Sequence, residues 1–193
     1  PQLTDSTRGF SFQTEGPLLM TFADSGAEGL NAARLVNDLP AADLADLIAR
    51  YGEEGYARRI AEAIVLARRT APILTTFQLV EIIAGAVPKG YRFGRKHFAT
   101  KTFQALRIAV NDELGALTDG LMAIWQHLNP AGRLAVISFH SLEARIVKEC
   151  FRQWVRAGEG ELLTKHAIKP SREEQLRNPR SRSATLRIIS KIN

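Results

Sequence analysis

Residues 132–148, read Gly-Arg-Leu-Ala-Val-Ile-Ser-Phe-His-Ser-Leu-Glu-Ala-Arg-Ile-Val-Lys, constrain this chain more than any other stretch. Asn129-Pro130-Ala131-Gly132 in front of them is a turn signal. Leu134 to Phe139 is an apolar run of strand length with β-branched Val136 and Ile137, which predicts a buried strand. After Ser138, Phe139, His140 and Ser141 the spacing becomes helical, with Ile146, Val147, Cys150, Phe151 and Trp154 on one face. Before the turn, Thr102 to Leu128 reads as one long amphipathic helix, with too few repeats for a coiled coil. Helix, strand, helix is the order of an α/β protein. Ligands of open α/β sheets bind at the carboxyl ends of strands, so the chemistry is expected at 138–141.

The rest of the chain supports a soluble domain of ordinary make-up. Its hydrophobic and charged fractions, 45% and 24%, are those of a globular protein. No apolar run reaches the length of a membrane span, and the first ten residues lack a secretory pattern. The first residue is Pro, which we read as the mark of a cropped or processed piece. A single cysteine, Cys150, excludes an internal disulfide and a cysteine-built metal site, and suits a bacterial cytoplasm or an organelle matrix. The histidines show no metal-ligand spacing, so no metal is expected.

The positive charge is clustered. Residues 165–191 hold eight Lys/Arg against two Glu, and residues 89–101 hold five Lys/Arg and no acid. Tyr91, Phe93 and Phe98 lie within the second stretch. Basic runs interleaved with aromatics suit a polyanion, with a solvated basic face as the plain alternative.

Residues 1–24 carry turn formers and scattered aromatics without a period. Three helices follow, over 41–51, 56–69 and 76–87, set off by Pro40, Gly52, Pro72 and Pro88. They predict a compact helical unit. Residues 162–164 and 184–189 are the remaining strand candidates, separated by a basic loop.

His140 at the strand end either orients a substrate or caps the next helix. Ser141 suits a helix N-cap better than a nucleophile, since no G-x-S-x-G surrounds it. Ala144 stands where a capping box counted from Ser141 wants Glu, so that cap reads as half built. In Asn178-Pro179-Arg180-Ser181-Arg182-Ser183, two guanidinium groups with hydroxyls and an amide suit phosphate oxygens. Neither G-x-G-x-x-G nor G-x-x-x-x-G-K-[ST] occurs, so these 193 residues hold no phosphate-cradling loop of those types.

Several stretches together resemble the bacterial ribosomal RNA small-subunit methyltransferase H family. They are Arg8-Gly9-Phe10-Ser11-Phe12 with Gly16-Pro17-Leu18, Tyr51-Gly52-Glu53-Glu54 with Ala57-Arg58-Arg59-Ile60-Ala61, and Thr102 through Ile108 with Asn111-Glu113-Leu114. Gly132-Arg133-Leu134 leading to Ile137-Ser138-Phe139-His140-Ser141-Leu142-Glu143 follows, then Asn178-Pro179-Arg180 with Arg182-Ser183. The resemblance implies the second half of a class I, Rossmann-like, S-adenosylmethionine-dependent methyltransferase domain with an inserted α-helical domain. Residues 1–24 would close the first half, 25–98 would be the insertion, and 99–193 the second half. It implies transfer of a methyl group to a cytidine N4 in small-subunit ribosomal RNA, with the main methionine-cofactor motif absent from this chain. The isolated chain is then expected to be inactive.

By the same resemblance Gln2 contacts the cofactor. We place Phe139, His140 and Ser141 in a cytosine pocket, and Asn178, Arg180, Arg182, Ser183 and Lys101 on RNA. Small-subunit ribosomal RNA or the small subunit itself is the expected partner, with a homodimer left open. The family pattern is broken at Leu19-Met20-Thr21-Phe22-Ala23, where Asp-Met-Arg-Met-Asp is usual, and at Phe98, Lys101 and Ala144. The first break keeps a second reading open, a non-catalytic RNA-binding or ribosome-assembly factor descended from the family.

Overall fold

The computed structural model describes residues 6–23 and 29–192. The chain divides into two compact units, residues 1–113 and 114–193. Gln2 lies outside the described residues.

The first unit is helical. Its elements are α1 (Ala32–Asp38), α2 (Ala41–Gly52), α3 (Ala57–Ala67), α4 (Thr76–Ala86), the single turn α5 (Lys89–Arg92) and α6 (Thr100–Asn111). Leu44, Ile48, Ile60, Ile64, Leu79, Ile83 and Leu106 are fully buried between them. Each such side chain contributes roughly 1.5–3 kcal/mol by leaving water. Thr75 caps α4 through a complete box with Gln78. The helix α1 has no strong apolar period and rests on a local signal, Asn31 accepting from the Arg34 amide at 2.9 Å. The helix α6 packs against α2, where Gly52 permits the approach: a Cβ there would meet the Lys101 carbonyl oxygen at 2.5 Å.

The irregular segment 9–23 joins this core through buried Leu18 and Met20. Gly9, at φ +69°, could carry no side chain, since a Cβ would lie 1.9 Å from the Pro17 carbonyl oxygen. The two stretches Arg8-Gly9-Phe10 and Gly16-Pro17-Leu18 therefore form one folded corner.

The expected single helix over 102–128 is two. The helix α6 ends at Asn111, Asp112 takes a left-handed conformation (φ 45°, ψ 45°), and α7 (Glu113–His127) begins again. The apolar stripe runs through the break, so periodicity alone hides it. Asp tolerates the left-handed region better than most residues. Arg107 and Glu113 close over the kink with two hydrogen bonds of 2.7 and 2.9 Å.

In the second unit β1 (Arg133–Ser138), α8 (Ser141–Arg156), β2 (Gly160–Leu162), the short helix α9 (Arg172–Arg177), a 3-10 turn (Pro179–Ser183) and β3 (Thr185–Lys191) follow in order. Among the described residues the strands make one sheet, ordered β1-β3-β2 with both pairings antiparallel. The strands β1 and β2 thus run parallel to each other and are joined through α8, the crossover of an α/β unit. Leu121, Trp125, Leu134, Val147, Cys150, Phe151, Trp154 and Ile189 form the core. Trp125 stacks on Trp154 at 4.2 Å and donates to the Glu159 carboxylate at 2.9 Å.

The strand β1 is not buried on both faces as expected. Leu134 and Ser138 are buried, whereas Ala135 and Ile137 are exposed, Ile137 by 58%. It lies at the edge of the sheet, and the helical cover lies on one face. A continuous apolar run therefore alternates in burial with the pleat.

Candidate active-site strand end and basic loop

The strand β1 ends at buried Ser138, and the next three residues turn into α8. The N-cap is His140, one residue before the Ser141 expected. His140 Nδ1 accepts from the Glu143 amide at 3.4 Å, and Glu143 Oε2 accepts from the Phe139 and His140 amides at 2.8 and 3.3 Å. The capping box is complete. Counting from Ser141 put Ala144 at the third position and made the box look half built. Shifting the cap by one brings Glu143 there, because an imidazole nitrogen replaces the usual hydroxyl.

The cap sets what His140 can do. With Nδ1 held as an acceptor, the neutral ring carries its proton on Nε2, which faces Glu143 Oε1 at 3.5 Å. The ring is 11% exposed, whereas Phe139 is 55% exposed and Ser141, the first residue of α8, is exposed too. Phe139 and Ser141 can therefore meet a ligand directly, and His140 chiefly fixes the turn that presents them.

The basic loop reaches the same end of the sheet through the β1–β3 register. Ser138 lies opposite Thr185, whose hydroxyl donates to the Ser138 carbonyl oxygen at 3.5 Å. Ser183 is two residues ahead of Thr185, so the turn Pro179–Ser183 is tethered beside residues 138–141. The Asn178 carbonyl oxygen accepts from the Ser181 amide at 2.9 Å and its hydroxyl at 2.8 Å, and Ser181 is buried. Asn178, Arg180, Arg182 and Ser183 are exposed around that buried serine. Arg172 and Arg182 flank a groove of about 440 Å³ with Gln175, Leu176 and Pro179.

Lys101 belongs to the first unit, where its ammonium donates to the Glu53 carbonyl oxygen at 2.8 Å. There it closes the left-handed end of α2. The segment that breaks the family pattern is also in that unit. Met20 is buried at φ 55° and its carbonyl oxygen accepts from Asn111 Nδ2 at 2.7 Å, while Asn111 Oδ1 accepts from the Phe22 amide at 2.8 Å. The Met20 amide donates to the Arg8 carbonyl oxygen at 2.8 Å. Reading the sequence missed Asn111 in this role, although a residue just ahead of a helix break is placed to turn its side chain to a neighbouring segment.

The turn from β1 into α8 does not offer the cradle of a nucleotide-like cofactor. No glycine-rich loop opens α8, which begins His140-Ser141-Leu142, and its first turn holds the acidic residue Glu143.

Strand, crossover helix and arginine loop converge on one sheet end of a mixed α/β protein. Residues 1–192 match the MraW methylase family, and the chain belongs to it. It is 51% identical to the ribosomal RNA small subunit methyltransferase H of Coprothermobacter proteolyticus over 98% of its own length and 62% of that protein. For the proteins of the same name from Deinococcus radiodurans and Elusimicrobium minutum the identities are 56% and 50%, over 97% and 99% of this chain and 57% and 64% of those proteins. The chain thus spans about six tenths of the length of these relatives. No helix among the described residues is long and apolar enough to cross a membrane.

Proposed function

We propose that this chain is the RNA-facing portion of an S-adenosylmethionine-dependent methyltransferase that acts on a cytidine N4 in small-subunit ribosomal RNA. Family membership supports the reaction class, and the names of the relatives support the substrate. The pairing of Ser138 with Thr185 is the observation that carries the site, because it puts an exposed aromatic and an arginine loop at one sheet end. On this reading residues 25–98 are a helical insertion, 1–24 close the first half of the catalytic domain, and 99–193 belong to its second half. The protein works in the cytoplasm.

Methyl transfer to an exocyclic amine asks an enzyme mainly to align the amine and exclude water. The cytosine must leave its stack and be held by one face and one edge. Phe139 offers the face, and Ser141 a hydroxyl for the edge. Asn178, Arg180, Arg182 and Ser183 hold the phosphates on either side, and Lys101, in the first unit, is a separate RNA contact. Gln2 would contact the methyl donor.

The Leu19–Ala23 segment favours the second reading, a non-catalytic RNA-binding or assembly factor, because no carboxylate or guanidinium stands within it. One experiment separates the two. Methylation of small ribosomal subunits by the protein encoded in the full reading frame should fall at least tenfold in Phe139→Ala. A wild-type protein that binds the subunit without transferring methyl groups would establish the second reading instead.

A further inference from the structure

We propose that the helical unit carries a second RNA contact, a basic platform on which an unpaired base stacks against Phe93. The inference rests on the RNA-directed reading above and adds a surface which that reading does not use.

Phe93 follows α5 and is 87% exposed, the most exposed of the large apolar side chains described. A single exposed phenyl is ordinary by itself. Its surroundings set this one apart. Exposed Lys89, Arg95 and Lys96 and half-exposed Arg92 lie within four residues of it, and no acid occurs from 89 to 101. The Glu54 carboxylate, which does touch this segment, is 4% exposed and already accepts from the Tyr91 hydroxyl at 2.7 Å and the Tyr56 amide at 2.9 Å.

The backbone that presents Phe93 is pinned. Tyr91 sets the edge of its ring against Tyr56 at 4.9 Å. The Tyr91 amide donates to the Pro88 carbonyl oxygen at 3.0 Å, and the Gly94 amide to the Tyr91 carbonyl oxygen at 3.2 Å. A backbone already fixed at the turn loses little freedom on binding. An exposed phenyl ring flanked in sequence by Arg and Lys suits a nucleotide, with base on ring and phosphates on cations. A partner protein rich in carboxylates would use the cations alone and leave the ring without a role.

The test measures binding of the 193-residue chain to a fluorescent single-stranded RNA of about a dozen nucleotides, by anisotropy across a salt series. Phe93→Ala should weaken binding at least fivefold, within the range of base–aromatic stacking, and leave the salt slope unchanged. Phe93→Tyr should restore it. Arg95→Ala with Lys96→Ala should lower the slope by about 1.4, as expected for two single-strand phosphate contacts.

Binding within twofold of wild type in Phe93→Ala, or a Phe93→Tyr as weak as the alanine, overturns the platform. So does polyglutamate that displaces the RNA at equal charge, which would mark the surface as one for acidic proteins. If Phe93→Ala and the Arg95/Lys96 pair bind normally while Arg180→Ala with Arg182→Ala binds weakly, the platform falls and the RNA reading stands. If the wild-type chain binds no RNA, both fall.

Discussion

Ser138 and Thr185 sit opposite each other across the β1–β3 pairing, 47 residues apart in sequence. That one register joins the strand end to the arginine loop. Because Phe139 is more than half exposed, Phe139→Ala should leave folding stability within about 0.5 kcal/mol of wild type by urea denaturation. A larger loss would mean that the ring supports the fold, and would remove it from the cytosine pocket.

The box between His140 and Glu143 holds the first turn of α8. Glu143→Ala frees the Phe139 and His140 amides and should cost about 1 kcal/mol. Glu143→Gln can still accept and should cost less. Equal losses in the two variants would show that the charge of Glu143 beside the imidazole, rather than the cap, carries the stabilisation.

The helices α2, α3 and α4 were legible because their apolar residues recur at helical spacing between Pro and Gly stops. The family-like motifs were legible for a different reason. Gly9 and Gly52 stand where a Cβ would strike a backbone oxygen, so sequence and packing constrain each other there. The break at Asp112 was hidden because the stripe from Phe103 to Trp125 continues through it, while the contacts that mark it, Asn111 on Met20 and Arg107 on Glu113, depend on the fold. The half-burial of β1 was hidden because two of its exposed positions, Ala135 and Ile137, are apolar like buried Leu134, while buried Ser138 is polar. The site was half legible. Its residue types showed in the strand end and the loop, but their convergence depends on strand register, which two separated apolar runs do not disclose.

Tyr91 ties the basic segment to a buried carboxylate. Burial first, and then the Glu54 carboxylate, push its phenol well above the ordinary tyrosine value. Tyr91→Phe leaves Glu54 short of a donor and should cost about 1–3 kcal/mol. A folded-state pKa above the unfolded value gives stability that is complete below about pH 10 and is lost as pH rises further. The gap between wild type and Tyr91→Phe in thermal unfolding should therefore be constant from pH 7 to 9 and narrow above 10. A gap that widens there would contradict the pairing.

His97 gives the opposite slope. Its ring stacks between Phe12 at 4.4 Å and Phe98 at 4.3 Å, and Nδ1 accepts from the Ala99 amide at 3.3 Å. The residue is exposed overall, but loss of water over the ring lowers its pKa below the usual imidazole value. With the folded pKa depressed, its contribution is intact above the unfolded value near 6.5 and is lost as pH falls through the folded one. Wild type should thus lose stability as pH falls below about 6.5 relative to His97→Phe, which keeps the stack without the charge. Parallel pH profiles for the two would rule out His97 as the source.

Asn111 makes the most demanding case, because one side chain serves two backbone groups across the first unit. It donates to the Met20 carbonyl oxygen and accepts from the Phe22 amide, and it also donates back to the Arg107 carbonyl oxygen at 2.8 Å. Met20 is buried in a left-handed conformation that a non-glycine residue keeps only when its surroundings enforce it. Asn111→Ala removes that enforcement and leaves both groups unpaired, each costing about 1–3 kcal/mol if water cannot reach it. Asn111→Asp keeps the acceptor for Phe22 but sets a carboxylate against the Met20 carbonyl oxygen, so it should be no better than alanine. Amide hydrogen exchange provides the local readout. Protection of the Met20 and Phe22 amides should collapse in both variants while the amides of α3 and α4 stay protected. Uniform loss across the unit would show that Asn111 supports the global fold rather than this one segment.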